Sequence, residues 1–174
     1  MDYSSETPFN TFSQIQKALE DGTARLSFQR SAAFNIACSV NPLYSISNLL
    51  ITIISMVLVL LVCHLFGVSK WFLLFGIVSF IFNTVVPHLK VLLSITACVF
   101  LVLYFTVLHS MAWMVAISAG IFGMIIGYDI WWNLISGVAT KALRWNEELF
   151  QNAWEGHAVA LKVNGKLFFH STSL

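Results

Sequence analysis

The sequence predicts an all-α membrane protein with four transmembrane helices, preceded by amphipathic helices and followed by a helix and a small β-hairpin. Three observations predict it. First, the 174 residues are 58% hydrophobic and only 10% charged, against about 25% charged in an average soluble domain. A water-soluble fold of this size has too little interior to hide so much apolar surface. Second, the hydrophobicity is concentrated in residues 43–132, in runs close to the roughly 20 residues a helix needs to cross a bilayer. Third, the cations flank those runs unevenly.

Residues 1–42 form an amphipathic N-terminal segment. Thr7-Pro8 is a helix-start signal, a capping hydroxyl followed by a proline where no N–H bond is needed. Phe9, Phe12, Ile15 and Leu19 recur at helical spacing, and Asp21-Gly22 ends the run. A second amphipathic stretch runs from about Leu26 to Ala37, with Arg25 and Arg30 beside Phe28, Phe34 and Ile36. Two placements suit both stretches: in the headgroup layer, apolar side down, or packed on the protein's own end.

The transmembrane domain, 43–132, reads as spans at about 43–66, 71–86, 91–109 and 111–130. Gly67-Val68-Ser69-Lys70 separates the first two, Pro87-His88-Leu89-Lys90 the next two, and His109-Ser110 the last two. The second span is short, which suits a thinned bilayer or borrowed flanking residues. Free backbone groups are intolerable in lipid, so the spans must be helices. Residues 133–174 form a tail. Val138, Ala142, Trp145 and Leu149 repeat at helical spacing. Asn164-Gly165 between two β-prone arms is the strongest two-residue hairpin signal, because both turn positions need positive φ. A lone hairpin is marginal in water, so it should rest on the tail helix, the N-terminal segment or a partner.

Four spans place Lys17, Arg25, Arg30, Lys90, Lys141, Arg144, Lys162 and Lys166 on one side and Lys70 alone on the other. Cations mark the cytoplasmic side, so both termini are expected in the cytoplasm and the membrane is expected to be a bacterial inner membrane. No signal peptide is evident, and insertion is expected without cleavage.

A net charge of +1 gives no basic field for nucleic acid, so no direct nucleic-acid binding is expected. Cys38, Cys63 and Cys98 are odd in number and lack C-x-x-C spacing. They read as small buried hydrophobes, not as a disulfide or metal framework. His64 and His109 fall near the outer ends of their helices without a suitably spaced third ligand, whereas a structural zinc site wants four. No metal, cofactor or catalytic residue is expected. The sequence has no H-E-x-x-H, no G-x-S-x-G, no phosphate loop and no paired carboxylates in the spans.

Two groups of residues stand out. In the fourth span Ala116, Ala119, Gly120, Gly123 and Gly127 form a small-residue stripe, and Gly123 and Gly127 make G-x-x-x-G. Small residues let helix backbones approach closely in lipid, either within the monomer or against a second membrane protein or a self-oligomer. Leucine at Gly123 or Gly127 should disrupt this seam, and at Val115 or Ile125 should matter less. Beyond the stripe, Tyr128, Asp129, Trp131 and Trp132 read as an interfacial belt, with Asp129 reaching water or a cation such as Lys90 or Lys141. An intramembrane acid also suits an ion or proton relay, but the flanking aromatics argue for the belt. Asn48, Asn83, Thr84, Ser94, Thr96 and Tyr104 are neutral polar groups in the spans, expected to hydrogen-bond between helices.

In its size, its span-rich middle and its polar N-terminal segment, including Ile15-Gln16-Lys17-Ala18-Leu19-Glu20-Asp21-Gly22, the chain resembles the entry-exclusion (surface-exclusion) inner-membrane proteins of F-like conjugative plasmids. The resemblance covers the overall plan and no diagnostic motif, so it assigns no functional residues. It implies a non-enzymatic protein that blocks redundant conjugative DNA transfer by contacting a donor-encoded transfer protein. Membrane-resident toxin-immunity proteins share this plan. An accessory transporter subunit and a membrane-shaping or trafficking protein are the other readings the layout admits.

Overall fold

A computed structural model describes residues 7–74, 86–107 and 111–170. The chain divides into two compact units. One is Ile46–Asn133; the other is assembled from both ends of the chain, Met1–Ser45 and Leu134–Leu174. Six α-helices are present among the described residues, together with a small sheet. The chain is therefore mostly helical but not all-α.

Three helices are long and apolar enough to cross a membrane. Helix α3 spans Leu49–Phe66 and stops at Gly67, whose φ of +64° is the left-handed conformation glycine adopts without strain. Ser69 then opens a 3-10 turn, Lys70–Leu73, its Oγ accepting from the Trp71 amide at 3.5 Å. Most of the expected second span, residues 75–85, lies outside the described residues.

Helix α4 spans Val86–Thr106. It includes Pro87-His88-Leu89-Lys90, expected as the break before a span beginning at 91; residues 75–85 before it lie outside the described residues. The expected break at His109-Ser110 falls outside the described residues, as do Asn83 and Thr84.

Helix α5, Trp113–Trp145, has 33 residues, about 50 Å at 1.5 Å per residue, well over the roughly 30 Å of a hydrocarbon core. The helix thus runs on past the expected span end near 130, and the expected tail helix is joined to it as far as Trp145. Residues up to Trp145 continue α5, since nothing after Ile130 stops it: no proline occurs, and Gly137 weakens a helix by only about 1 kcal/mol. The break comes at Asn146, extended at φ −131°, whose side chain accepts from the Leu149 amide at 2.9 Å. That cap starts α6, Glu147–Glu155, with two acids in its first turn where the helix dipole favours them.

In the unit built from the two ends, α1 spans Phe12–Glu20. Thr7 does not cap it. The Thr7 Oγ1 accepts from the Phe9 amide at 3.2 Å in a local turn, and the helix begins after Thr11. It ends where expected, at Asp21, with Gly22 at φ +73°.

The second amphipathic stretch is not one helix. Ala24–Phe28 is strand β1 and Arg30–Val40 is helix α2. Strand β1 pairs antiparallel with β2, Val159–Val163, and β2 pairs antiparallel with β3, Lys166–Phe168, in the order β1-β2-β3. Asn164 and Gly165, at φ +49° and +83°, close the hairpin between β2 and β3, both positive as a type I′ turn requires. The hairpin therefore rests on the N-terminal segment.

The largest side chains buried in this unit are Trp154, Phe150, Ile15, Ile135, Leu143, Leu161 and Val159. Phe150 stacks on Trp154 at 5.9 Å and meets Phe12 at 5.5 Å. Each such side chain contributes roughly 1.5–3 kcal/mol on full burial.

Candidate functional site

Helices α3 and α5 meet in a close seam. On α3 the buried residues are Ile51, Ser55, Val59 and Cys63, four apart and so on one face. On α5 the small-residue stripe faces them. Ala116, Gly120, Gly123 and Gly127 are buried, and Ala119 is half-buried.

A Cβ placed on Gly123 would stand 2.5 Å from Ser55 Cα and 3.2 Å from its amide nitrogen. One placed on Gly127 would stand 2.8 Å from Ile51 Cα and 3.2 Å from its carbonyl oxygen. Backbone lies against backbone, and no side chain fits between. Of the two roles open to the stripe, packing within the monomer is the one these two glycines perform.

Hydrogen bonds fasten the same unit. Ser55 Oγ donates to the Gly120 carbonyl at 3.1 Å, tying α3 to α5. Ser118 Oγ donates to the carbonyl of Ala97 on α4 at 3.1 Å and to that of Met114 on its own helix at 2.8 Å. Both serines are fully buried. A hydroxyl in an apolar interior needs an acceptor, and a neighbouring helix supplies one.

Two polar groups expected to bridge helices, Ser94 and Thr96, bond back on their own helix instead. They donate to the carbonyls of Lys90 and Leu92, four residues back, the usual local outlet for a helical hydroxyl. Tyr104 makes edge-on ring contact with Phe66 at 5.9 Å. Asn48 sits at the N-cap of α3. The bridging serines carried a signal in the sequence. Ser118 lies inside the small-residue stripe, and Ser55 is four residues from both Ile51 and Val59.

Asp129 has the partner expected of it. Lys90 Nζ lies 2.7 Å from one carboxylate oxygen and 2.6 Å from the other, with both side chains about half-exposed. The pair ties α4 to α5.

The aromatic belt is distributed differently from the expected ring. Trp131 is 2% exposed and donates its indole N–H to Ser47 Oγ at 2.9 Å. Tyr128 is buried and Trp132 is half-buried. A ring facing headgroups needs accessible edges, and of the three only Trp132 offers one. Val115 and Ile125, expected to tolerate change, are themselves buried. Ile126 and Ile130, close by on that helix, are exposed.

Cys63 is buried and Cys38 half-buried, as small hydrophobes should be, but Cys98 is exposed. His64 is exposed, and His109 lies outside the described residues. Among the described residues, no group of three His, Cys, Asp or Glu side chains is placed to hold a metal ion. The arrangement fastens helices to one another. No protein-family model, curated protein or solved structure matches the chain.

Proposed function

We propose that the chain is a four-span membrane protein with both ends in the cytoplasm, acting by protein–protein contact and not by catalysis or transport. The observation that carries the topology is the pairing of β1 with β2, residues 24–28 against residues 159–163. Strands cannot hydrogen-bond through a bilayer, so both tails lie on one side and the chain crosses an even number of times. Three helices are long enough to cross, and the apolar sequence at 71–86 supplies a fourth crossing. The eight-to-one cation asymmetry then favours the cytoplasm for the tails.

Contact is supported by where the polar side chains go. Ser55, Ser118 and Trp131 give their donors to neighbouring segments of the chain, and Asp129 is held by Lys90. That arrangement favours a fastened bundle over a polar path. Both tails fold together into a module with its own core, a platform that a purely lipid-anchored chain does not need.

The specific form we favour is exclusion of redundant conjugative transfer, on the strength of the overall plan. Topology reporters fused after residues 40, 68, 89, 110 and 174 should read in, out, in, out, in. An outside signal at 174 overturns the topology. Recipient cells making the chain should accept an F-like plasmid at least tenfold less often than cells without it. Unchanged transfer removes the exclusion form. Solute flux in proteoliposomes, with no protein cross-linked to the chain in cells, removes contact itself.

A further inference from the structure

One transverse row of the sheet presents an unusual set of side chains. Arg25 lies across from Lys162, and Lys162 across from Leu167. Residues directly opposite on neighbouring strands share a face, so two cations and a leucine stand side by side, and all three are exposed. Strand β2 is buried at Val159, Ala160 and Leu161 and emerges at Lys162. Lys166 is exposed at the turn, and two large apolar side chains accompany the cations, Leu167 at 49% exposure and Phe169 at 56%.

Like charges directly opposite each other destabilise a sheet, and neither Arg25 nor Lys162 forms an ion pair among the described residues. Exposed leucine and phenylalanine beside them add a second unfavourable contact with water. A surface that is both anionic and apolar just beneath relieves the two together.

We propose that this end of the sheet is a membrane-docking face, with Arg25 and Lys162 on anionic headgroups and Leu167 and Phe169 at the headgroup–acyl boundary. The inference rests on the membrane residence proposed above. Basic residues near an anionic leaflet each strengthen binding by about fivefold, and apolar side chains add insertion. The chain's own apolar helices keep lipid at high effective concentration, so a weak face suffices. An acidic protein segment matches the charge as well. Specific protein recognition, however, seats its anchors in pockets, and this row is a short, open strand face. A fluid lipid surface needs no pocket.

The test uses the full chain with photoreactive p-benzoylphenylalanine at Phe169, reconstituted in phosphatidylcholine vesicles with or without phosphatidylglycerol. A second probe at Asn152, exposed on α6, reports background. Lipid adducts at position 169 should exceed those at 152 and rise with phosphatidylglycerol. They should fall about tenfold or more in the Arg25→Glu/Lys162→Glu variant, and in the same direction but less in Arg25→Gln/Lys162→Gln, which spares the sheet a charge reversal. Adducts no higher than at 152, or indifferent to both phosphatidylglycerol and charge, overturn the proposal. So does a protein-sized adduct at 169 in cells in place of lipid. Extraction of the native chain by alkaline wash refutes membrane residence itself, a separate failure read before any cross-linking.

Discussion

Gly123→Ala adds one carbon to the helical unit and should be among its most damaging single changes. The added Cβ would stand 2.5 Å from Ser55 Cα, where ordinary carbon contacts need about 3.5–4 Å. The obstacle is backbone, so no rotamer change relieves it. Helix α3 or α5 must retreat by about 1 Å. That retreat stretches the 3.1 Å bond from Ser55 Oγ to the Gly120 carbonyl and opens the contact at Gly127, one turn along. Overpacking of this kind costs about 1–3 kcal/mol, and weakening a buried hydrogen bond adds about 1 kcal/mol. Alanine is otherwise the better helix former by about 1 kcal/mol, so the net loss should be about 1–3 kcal/mol. Gly127→Ala, with its Cβ 2.8 Å from Ile51 Cα, should lose somewhat less. The double variant should lose less than the sum, because one retreat relieves both clashes. Gly137→Ala is the internal control: a Cβ there meets nothing within 4 Å, so the variant should be neutral or up to about 1 kcal/mol more stable. The assay is unfolding of the purified chain in mixed micelles of rising SDS fraction, followed by circular dichroism. Equal stability of Gly123→Ala and the native chain would refute the close approach of α3 and α5. A loss at Gly137 equal to that at Gly123 would show that helix flexibility, not space, sets the effect.

Three further outcomes follow from single contacts. Asp129→Asn should lower stability by about 1 kcal/mol or less, since the pair with Lys90 is half-exposed and solvent-screened. It should leave function largely intact, and the Lys90→Asp/Asp129→Lys swap should recover the lost stability. Complete loss of function at normal membrane levels would instead make Asp129 a relay. Trp131→Phe keeps most of the ring's packing but removes the 2.9 Å donor to Ser47, so a loss of about 1 kcal/mol is expected. Ser47→Ala should cost less in that background than in the native chain; strict additivity would refute the bond. Gly165→Ala places a Cβ at φ +83° and should destabilise the hairpin by about 1 kcal/mol. Faster amide exchange confined to residues 159–168 would show this, and unchanged exchange would refute the strain.

What the sequence discloses depends on how far away the cause of each feature lies. The Asn164-Gly165 turn is caused by its own two residues, so it is legible. The G-x-x-x-G at Gly123 and Gly127 is caused by what small side chains permit, so it marks a seam without naming the partner. That partner, the face of Ile51 and Ser55, becomes visible only when the four-residue spacing on α3 is set against it. Strand β1 is the opposite case. Ala24–Phe28 pairs with residues more than 130 positions away, and by itself Arg25 to Phe28 fits a helical face as well as a strand. Its β conformation comes from the open edge of β2, which no local window contains. The same holds for Trp131. Local composition groups it with Tyr128 and Trp132 as an interfacial ring, but Ser47, 84 positions earlier, gives its indole N–H an acceptor inside the protein. The helix outruns the expected end of the fourth span near 130 for a different reason: hydropathy falls there, but helices end at caps and breakers, and the first effective cap is Asn146. Apolarity therefore locates the part of α5 suited to lipid, whereas backbone hydrogen bonding decides where the helix stops, and the two need not coincide.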